Sequence, residues 1–167
     1  MTMKKRSIIA ILTAALLLTG CSGGNTSSGS TASDASASVA ETAKTAAEKA
    51  DVLLAEVEFS GEMIAVDGES MEFRLGFNTE GLTDYAAYIC GSGAFPDEFG
   101  VFTADSAERA EEIKTALEKR IEAQKATYQD YTPEEMYKFD DCFVNISGNT
   151  VTYAVTSDNT KAADILG

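Results

Sequence analysis

Residues 142–155 read CFVNISGNTVTYAV, and the fold is decided there. With Gly148-Asn149 as a two-residue turn, strands 142–147 and 150–155 form a hairpin. Ile146 then opposes Val151, Val144 opposes Tyr153, and Cys142 opposes Val155, so the apolar residues meet on one face. A slip of one residue would mix the two faces. The register is therefore specified by the chain itself, and the apolar face is expected to pack against helices.

The partner for that face lies just upstream. Ile113, Leu117, Ile121, Gln124 and Tyr128 recur at helical spacing, and Glu111, Glu112, Lys114, Glu118, Lys119, Glu122 and Lys125 occupy the remaining directions. Asp105, with Glu108 three residues on, is the expected cap of this long helix. Thr132-Pro133-Glu134-Glu135 predicts a second, short helix to about Lys138, with Thr132 as cap, Pro133 at the first helical position and a capping-box glutamate. Farther upstream, Tyr85–Cys90 and Phe99–Thr103 read as buried strands joined by a loop over 91–98. Residues 67–77 carry two readings. Met71, Phe73, Leu75 and Phe77 alternate with Glu72, Arg74 and Gly76, which has the period of a strand, and a short helix after Asp67 is the competitor. Ala, Glu and Lys dominate from Val39, predicting a helix whose first alanines bury little and whose packing begins near Val52, Leu53 and Val57. A short helix over 159–166 closes the chain. The expected class is α+β: a small, mainly antiparallel sheet from strands near 85–90, 98–104, 142–147 and 150–156. The long helix over 106–128 should lie across one face, with the N-terminal helices beside it.

The composition removes whole classes of function. Over 167 residues there are 13 Lys and Arg against 27 Asp and Glu, a formal charge of −14, and there is no His and no Trp. Such acidity argues against nucleic acid, which needs clustered cations. Without histidine there is no Ser-His-Asp or Cys-His nucleophile, no imidazole metal site and no histidine pH switch.

The N-terminus reads as an address. Lys4, Lys5 and Arg6 precede an apolar run over 8–18, too short to span a bilayer, as in a secretory signal peptide. Leu18, Thr19, Gly20 and Cys21 then resemble the lipobox of bacterial lipoproteins, in which the cysteine thiol is lipidated and the peptide is cut just before it. Removing 20 of the 167 residues leaves 147, and the loss of three positive charges takes the formal charge from −14 to −17. The Ser- and Gly-rich stretch 21–38 has the composition of a flexible tether. Residues 39–50 form an Ala-rich helical lead-in, and 51–167 a single α+β domain.

Few residues carry chemistry. Cys90 and Cys142, in an extracytoplasmic setting, are compatible with a disulfide, but the place of Cys142 on the apolar hairpin face favours two buried thiols. The carboxylates fall on solvated helix faces, at caps and in turns, so solubility and capping account for nearly all of them. No spacing fits an EF-hand, a phosphate-binding glycine loop or a dinucleotide fingerprint, and neither a metal nor a cofactor is expected. Tyr128, Tyr131 and Tyr137, with Phe139, gather where the two helices meet and read as a cap on the core with hydroxyls at the surface. The loop over 91–98 is the expected contact surface. Gly91 and Gly93 give it freedom and Pro96 restrains Phe95, so the ring would stand beside the carboxylates of Asp97 and Glu98. The alternative is that Phe95 tucks over the end of the sheet.

One resemblance spans most of the domain. Tyr85-Ala-Ala-Tyr-Ile, Gly93-Ala94, Asp97-Glu98-Phe99-Gly100-Val101-Phe102, the helix over 107–124, Tyr128-Gln-Asp-Tyr131-Thr-Pro133-Glu134 and the last strand pair resemble a bacterial lipoprotein family, the domain of unknown function 4358. The likeness extends more weakly back to Asp51. It implies a Gram-positive anaerobic source, free thiols at Cys90 and Cys142 and a short helix within 67–77, and it carries no catalytic residue. The expected protein is a lipid-anchored module on the extracytoplasmic face of the cell membrane. It would be non-catalytic and bind an envelope protein or ligand, without nucleic acid. A small carboxylate-dependent hydrolase and a transporter's solute receptor are the alternatives.

Overall fold

Two segments, EFGVFTA over 98–104 and TVTYAV over 150–155, are apart from Glu98 mostly apolar or small on both of their faces, and both become central strands of one sheet. A strand buried on both sides needs cover on both sides. The computed structural model describes residues 44–167. In chain order the elements are α1 (Ala46–Glu56), β1 (Met63–Ala65), α2 (Met71–Leu75), β2 (Leu82–Cys90), β3 (Glu98–Ala104), α3 (Ala107–Tyr131), a 3₁₀ helix (Pro133–Phe139), β4 (Phe143–Ser147), β5 (Thr150–Val155) and α4 (Asn159–Leu166). The strands form an antiparallel sheet of order β1-β2-β3-β5-β4, so the class is α+β as expected.

Alternation along the strands builds two cores. On one face Ala87, Ile89, Phe102, Val151, Tyr153 and Val155 meet Met71 and Leu75 of α2 and Ala110, Ile113, Leu117 and Ile121 of α3. On the other, Phe99, Val101 and Ala154 meet Ala46, Ala50 and Leu53 of α1 and Ala162 and Leu166 of α4. The architecture is therefore helix, sheet, helix. The expectation that the N-terminal helices lie beside the long one is corrected for α1, which covers the opposite face, whereas α2 does lie with α3.

The local readings hold in most places. The hairpin register is the expected one at Ile146–Val151 and Val144–Tyr153, whereas Cys142 precedes β4 and forms no pair with Val155. Since β4 is an edge strand, Val144 and Ile146 are only half-buried against the core. The α3 stripe of Ile113, Leu117, Ile121 and Tyr128 is buried, with Gln124 half-exposed beside it. Its cap is Ser106, whose hydroxyl accepts from the Arg109 amide at 3.3 Å, while Asp105 accepts from the Ser106 hydroxyl at 3.0 Å. Thr132 ends α3 and starts a 3₁₀ helix without a capping bond, and its hydroxyl is buried without a partner. The second helix thus exists and its capping box does not.

Residues 67–77 resolve as the short helix. Asp67 accepts from the Ser70 amide at 2.7 Å, and Gly76, at φ 88°, closes α2 in the left-handed conformation that glycine adopts without strain. Helical spacing then buries Met71 and Leu75, and leaves Phe73, which an alternating strand would have placed with them, 92% exposed. In α1 the first described turn is capped by Thr45, paired reciprocally with Glu48. Ala47 is exposed, in keeping with first alanines that bury little, but Ala46 is buried, as is Ala50: small side chains let α1 settle against the sheet and α4. Residues 39–43 of the expected helix, like the signal peptide and the tether, lie outside the described residues.

Gly100 shows how tightly the sheet face is filled. A Cβ at that position would lie 2.8 Å from ring atoms of Phe102 and Tyr153, which stack with centroids 6.1 Å apart. Both rings are fully buried and cannot swing away. Gly100→Ala is expected to lower stability by about 1–3 kcal/mol through overpacking, read from urea unfolding midpoints.

Candidate functional site

Two adjacent acids, Asp97 and Glu98, open a buried strand, and a carboxylate cannot stay charged there without a cation. The fold supplies one for each. Glu98, 1% exposed, faces α3. The Arg120 guanidinium donates to its carboxylate from Nε at 3.0 and 2.9 Å and from Nη2 at 2.7 Å, and the Gln124 amide donates at 3.0 Å. Arg120 and Gln124 are one helical turn apart, which places both over the same carboxylate. A further nitrogen of Arg120 donates to the main-chain carbonyl of Arg74 in α2. Burial pushes the Glu98 carboxyl above its usual range, with Arg120 and Gln124 pulling it back.

Asp97 pairs with Lys138 from the 3₁₀ helix. Lys138 is fully buried and donates at 2.7 Å to both Asp97 Oδ2 and the Ser60 hydroxyl, with Glu135 2.5 Å away. Burial alone would lower the Lys138 ammonium, but its bonds to Asp97 and Glu135 outweigh that and hold it above the ordinary lysine range. Burial leaves Asp97 raised despite Lys138, and its Oδ1 has no partner. Tyr128 completes the arrangement: its hydroxyl lies 3.0 and 2.9 Å from the carbonyl oxygens of Gly93 and Phe95, and donates to the pair.

These bonds turn the 91–98 loop inward. Gly93, at φ 66°, stays at the surface, but Phe95 is half-buried, Pro96 is buried, and both carboxylates are buried in ion pairs. The Phe95 ring lies beside Lys138, 5.9 Å from its nitrogen to the ring centroid. The loop therefore does not present the expected ring with an acidic rim; the alternative, Phe95 tucked over the sheet end, matches the burial. The expectation that solvation and capping account for the carboxylates fails for these two. The expected tyrosine cluster divides: Tyr128 packs on Phe139, while Tyr131 and Tyr137 are exposed. The thiols are free, Cys90 buried 3.3 Å from the Ser92 hydroxyl and Cys142 half-buried, its pKa raised by burial. Cys90 ends β2 and Cys142 precedes β4, with two strands between them. That puts roughly 14 Å of sheet between the two strands, beyond disulfide reach. Cys21, Leu18, Thr19 and Gly20 lie outside the described residues. Among the described residues no group of three or more acids or cysteines could hold a metal ion.

Two spaces adjoin the Arg120 pair. A polar cavity of about 190 Å³ lies under the loop, lined by Cys90, Ser92, Asp97, Glu98 and Tyr128. A larger groove of about 650 Å³ runs between α2 and α3, walled by Phe73, Leu75, Gly76, Ala116, Lys119 and Ala123. Arg74, Arg120, Gln124 and Tyr128 line both. The sequence reading missed Arg120 and Lys138, and took Gln124 only as part of the α3 stripe. The available signal was the pair of acids at the head of a buried strand, which demands cations; the i, i+4 spacing of Arg120 and Gln124 beside the buried stripe could then have supplied one set.

A family model described as Domain of unknown function (DUF4358) matches residues 55–156, from α1 through β5. No curated protein and no solved structure gives a significant match.

Removing one member of a buried ion pair strands the other. Arg120→Leu is expected to cost about 3–5 kcal/mol in urea unfolding, and Glu98→Leu with Arg120→Leu to recover most of the loss. Tyr153 offers a test with pH. Its hydroxyl is buried without a partner, and burial, followed by the Glu98 charge, holds its pKa well above the ordinary tyrosine value. The unfolded chain ionises first, so this group makes stability fall as pH rises past about 10. Tyr153→Phe should leave stability at pH 7 unchanged or higher, and should remove about 1 kcal/mol of the loss otherwise seen by pH 10.5.

Proposed function

The chain belongs to the family of the domain of unknown function DUF4358, and we propose that it is a lipid-anchored extracytoplasmic binding module. Cys21 is the attachment point, residues 21–38 are the tether, and the folded part engages its ligand along the groove between α2 and α3. The observation that carries the binding reading is that groove: about 650 Å³, within the range of small-ligand sites, bordered by the 92%-exposed Phe73. A single exposed apolar residue is common on protein surfaces, so Phe73 supports binding only through its place at the edge of this groove. The carboxylate-hydrolase reading has less support. General acid–base work needs a carboxyl free to exchange a proton with substrate. The two buried acids each already bind a cation. No described helix is long and apolar enough to cross a membrane.

Two measurements test the reading. Cys21→Ala should move the protein from the membrane pellet to the supernatant after a high-salt wash, and retention in the pellet would show that the thiol is not the anchor. The folded part should bind the neutral apolar dye N-phenyl-1-naphthylamine, with binding lost in Ala123→Glu, which puts a charge into the groove. Dye binding indifferent to Ala123→Glu would remove the groove from the proposal.

A further inference from the structure

The cations of the folded part are unevenly committed. Between residues 44 and 167 there are ten Lys and Arg. Arg109, Lys114, Arg120, Lys125, Lys138 and Lys161 are in ion pairs. Lys49 donates to the carbonyl oxygens of Leu166 and Gly167 at 2.6 and 2.9 Å. Lys44 opens the described chain. That leaves Arg74 and Lys119, which have no ion-pair partner among the described residues, and both line the groove between α2 and α3. Arg74 acts weakly on the exposed Asp67, whose carboxyl is lowered chiefly by its hydrogen bonds to Ser70. The acid in the groove wall is Glu112, already bonded to Arg109 at 2.8 Å.

This distribution runs against the rest of the molecule. A chain with 27 acidic residues and 13 basic ones has few cations to leave unpaired, and its overall field repels anions. Two uncommitted cations line this one groove in spite of that excess of acid. The groove shares those cations with apolar or small walls, among them the Phe73 ring, Ala116, Ala123 and Gly76, where a Cβ would meet nothing within 4 Å, and with polar Thr115 and Thr127. An apolar trough with cations on its flanks fits a ligand with an apolar body and an acidic group.

We propose that the α2–α3 groove binds a small amphiphilic organic anion, an aliphatic or aromatic carboxylate, with Arg74 and Lys119 taking the acid group and Phe73 covering the apolar body. This rests on the groove being the binding site, and the test separates the two claims. The probes are 8-anilinonaphthalene-1-sulfonate, which is anionic, and neutral N-phenyl-1-naphthylamine, titrated by fluorescence against the folded protein. The anionic dye is expected to bind about tenfold more tightly, and about 0.5 M salt to abolish most of the difference. Arg74→Gln with Lys119→Gln should bring the anionic dye to the level of the neutral one, and Arg74→Lys with Lys119→Arg should retain the preference. Phe73→Ala should weaken both. Lys119 is exposed, so Lys119→Gln alone, which leaves the fold untouched, should still weaken the anionic dye about threefold. Competition by decanoate and by 2-naphthoate distinguishes an aliphatic from an aromatic body. Equal affinity for the two dyes, or an anionic preference that survives both glutamine substitutions, overturns the anion proposal and leaves the groove as a site. Failure of both dyes to bind overturns the groove reading and this inference with it.

Discussion

A carboxylate inside a sheet core has to be neutralised where it stands, and Glu98 sets the arrangement of this protein for that reason. Its strand, β3, is central and the residue is 1% exposed, so the protein itself must supply the compensating charge. The nearest source of charge is the helix across the face, and Arg120 takes up the carboxylate with Gln124 beside it. The same guanidinium reaches the Arg74 carbonyl and so ties α2, α3 and β3 at one point. A pair of this kind contributes little net stability compared with an apolar replacement, because desolvation offsets most of the attraction. What it contributes is alignment: any shift of α3 along the sheet would leave a buried charge unpaired.

Lys138 applies the same constraint one residue earlier. Together with the Tyr128 hydroxyl it draws the 91–98 loop onto the protein, so the segment richest in turn and charged residues becomes part of the interior. The surface left for recognition is on the other side of Arg120, where α2 stops after five residues at Gly76 and leaves a trough against α3. The short helix is too small to cover that side of α3, and it places Phe73 at the edge of the opening. The structural clamp and the proposed binding surface thus share residues: Arg120 closes one wall and Arg74, whose carbonyl it holds, supplies another.

The elements written in local spacing were legible in the chain. The hairpin register followed from matching apolar residues across Gly148-Asn149, and the α3 stripe from its period, because each depends on contacts within a short stretch. Residues 67–77 were balanced between strand and helix: Met71, Phe73, Leu75 and Phe77 satisfy a strand's period, and the decision came from the Asp67 turn and the left-handed Gly76. The caps were misplaced by a residue or left unmade at Asp105 and Thr132, since neighbouring side chains compete for the same amides. Gln124 was legible only as a member of the α3 stripe, and Arg120 and Lys138 carried no local mark of their buried partners, which lie 22 and 41 positions away.

By itself the sequence determined the class of fold, the pairing of its last two strands, the face of its long helix and the exclusion of histidine chemistry. These follow from composition and from periodicity, which act over a few residues. Only the tertiary structure decided which side of the sheet each helix covers, that Asp97 and Glu98 point inward, and that the two uncommitted cations meet in one groove. Ion pairs between residues 22 and 41 positions apart, such as Glu98 with Arg120 and Asp97 with Lys138, have no local signature. A charge in the sequence is the same letter whether water or a buried partner will satisfy it, and the desolvation that separates the two cases exists only once the chain has closed over it.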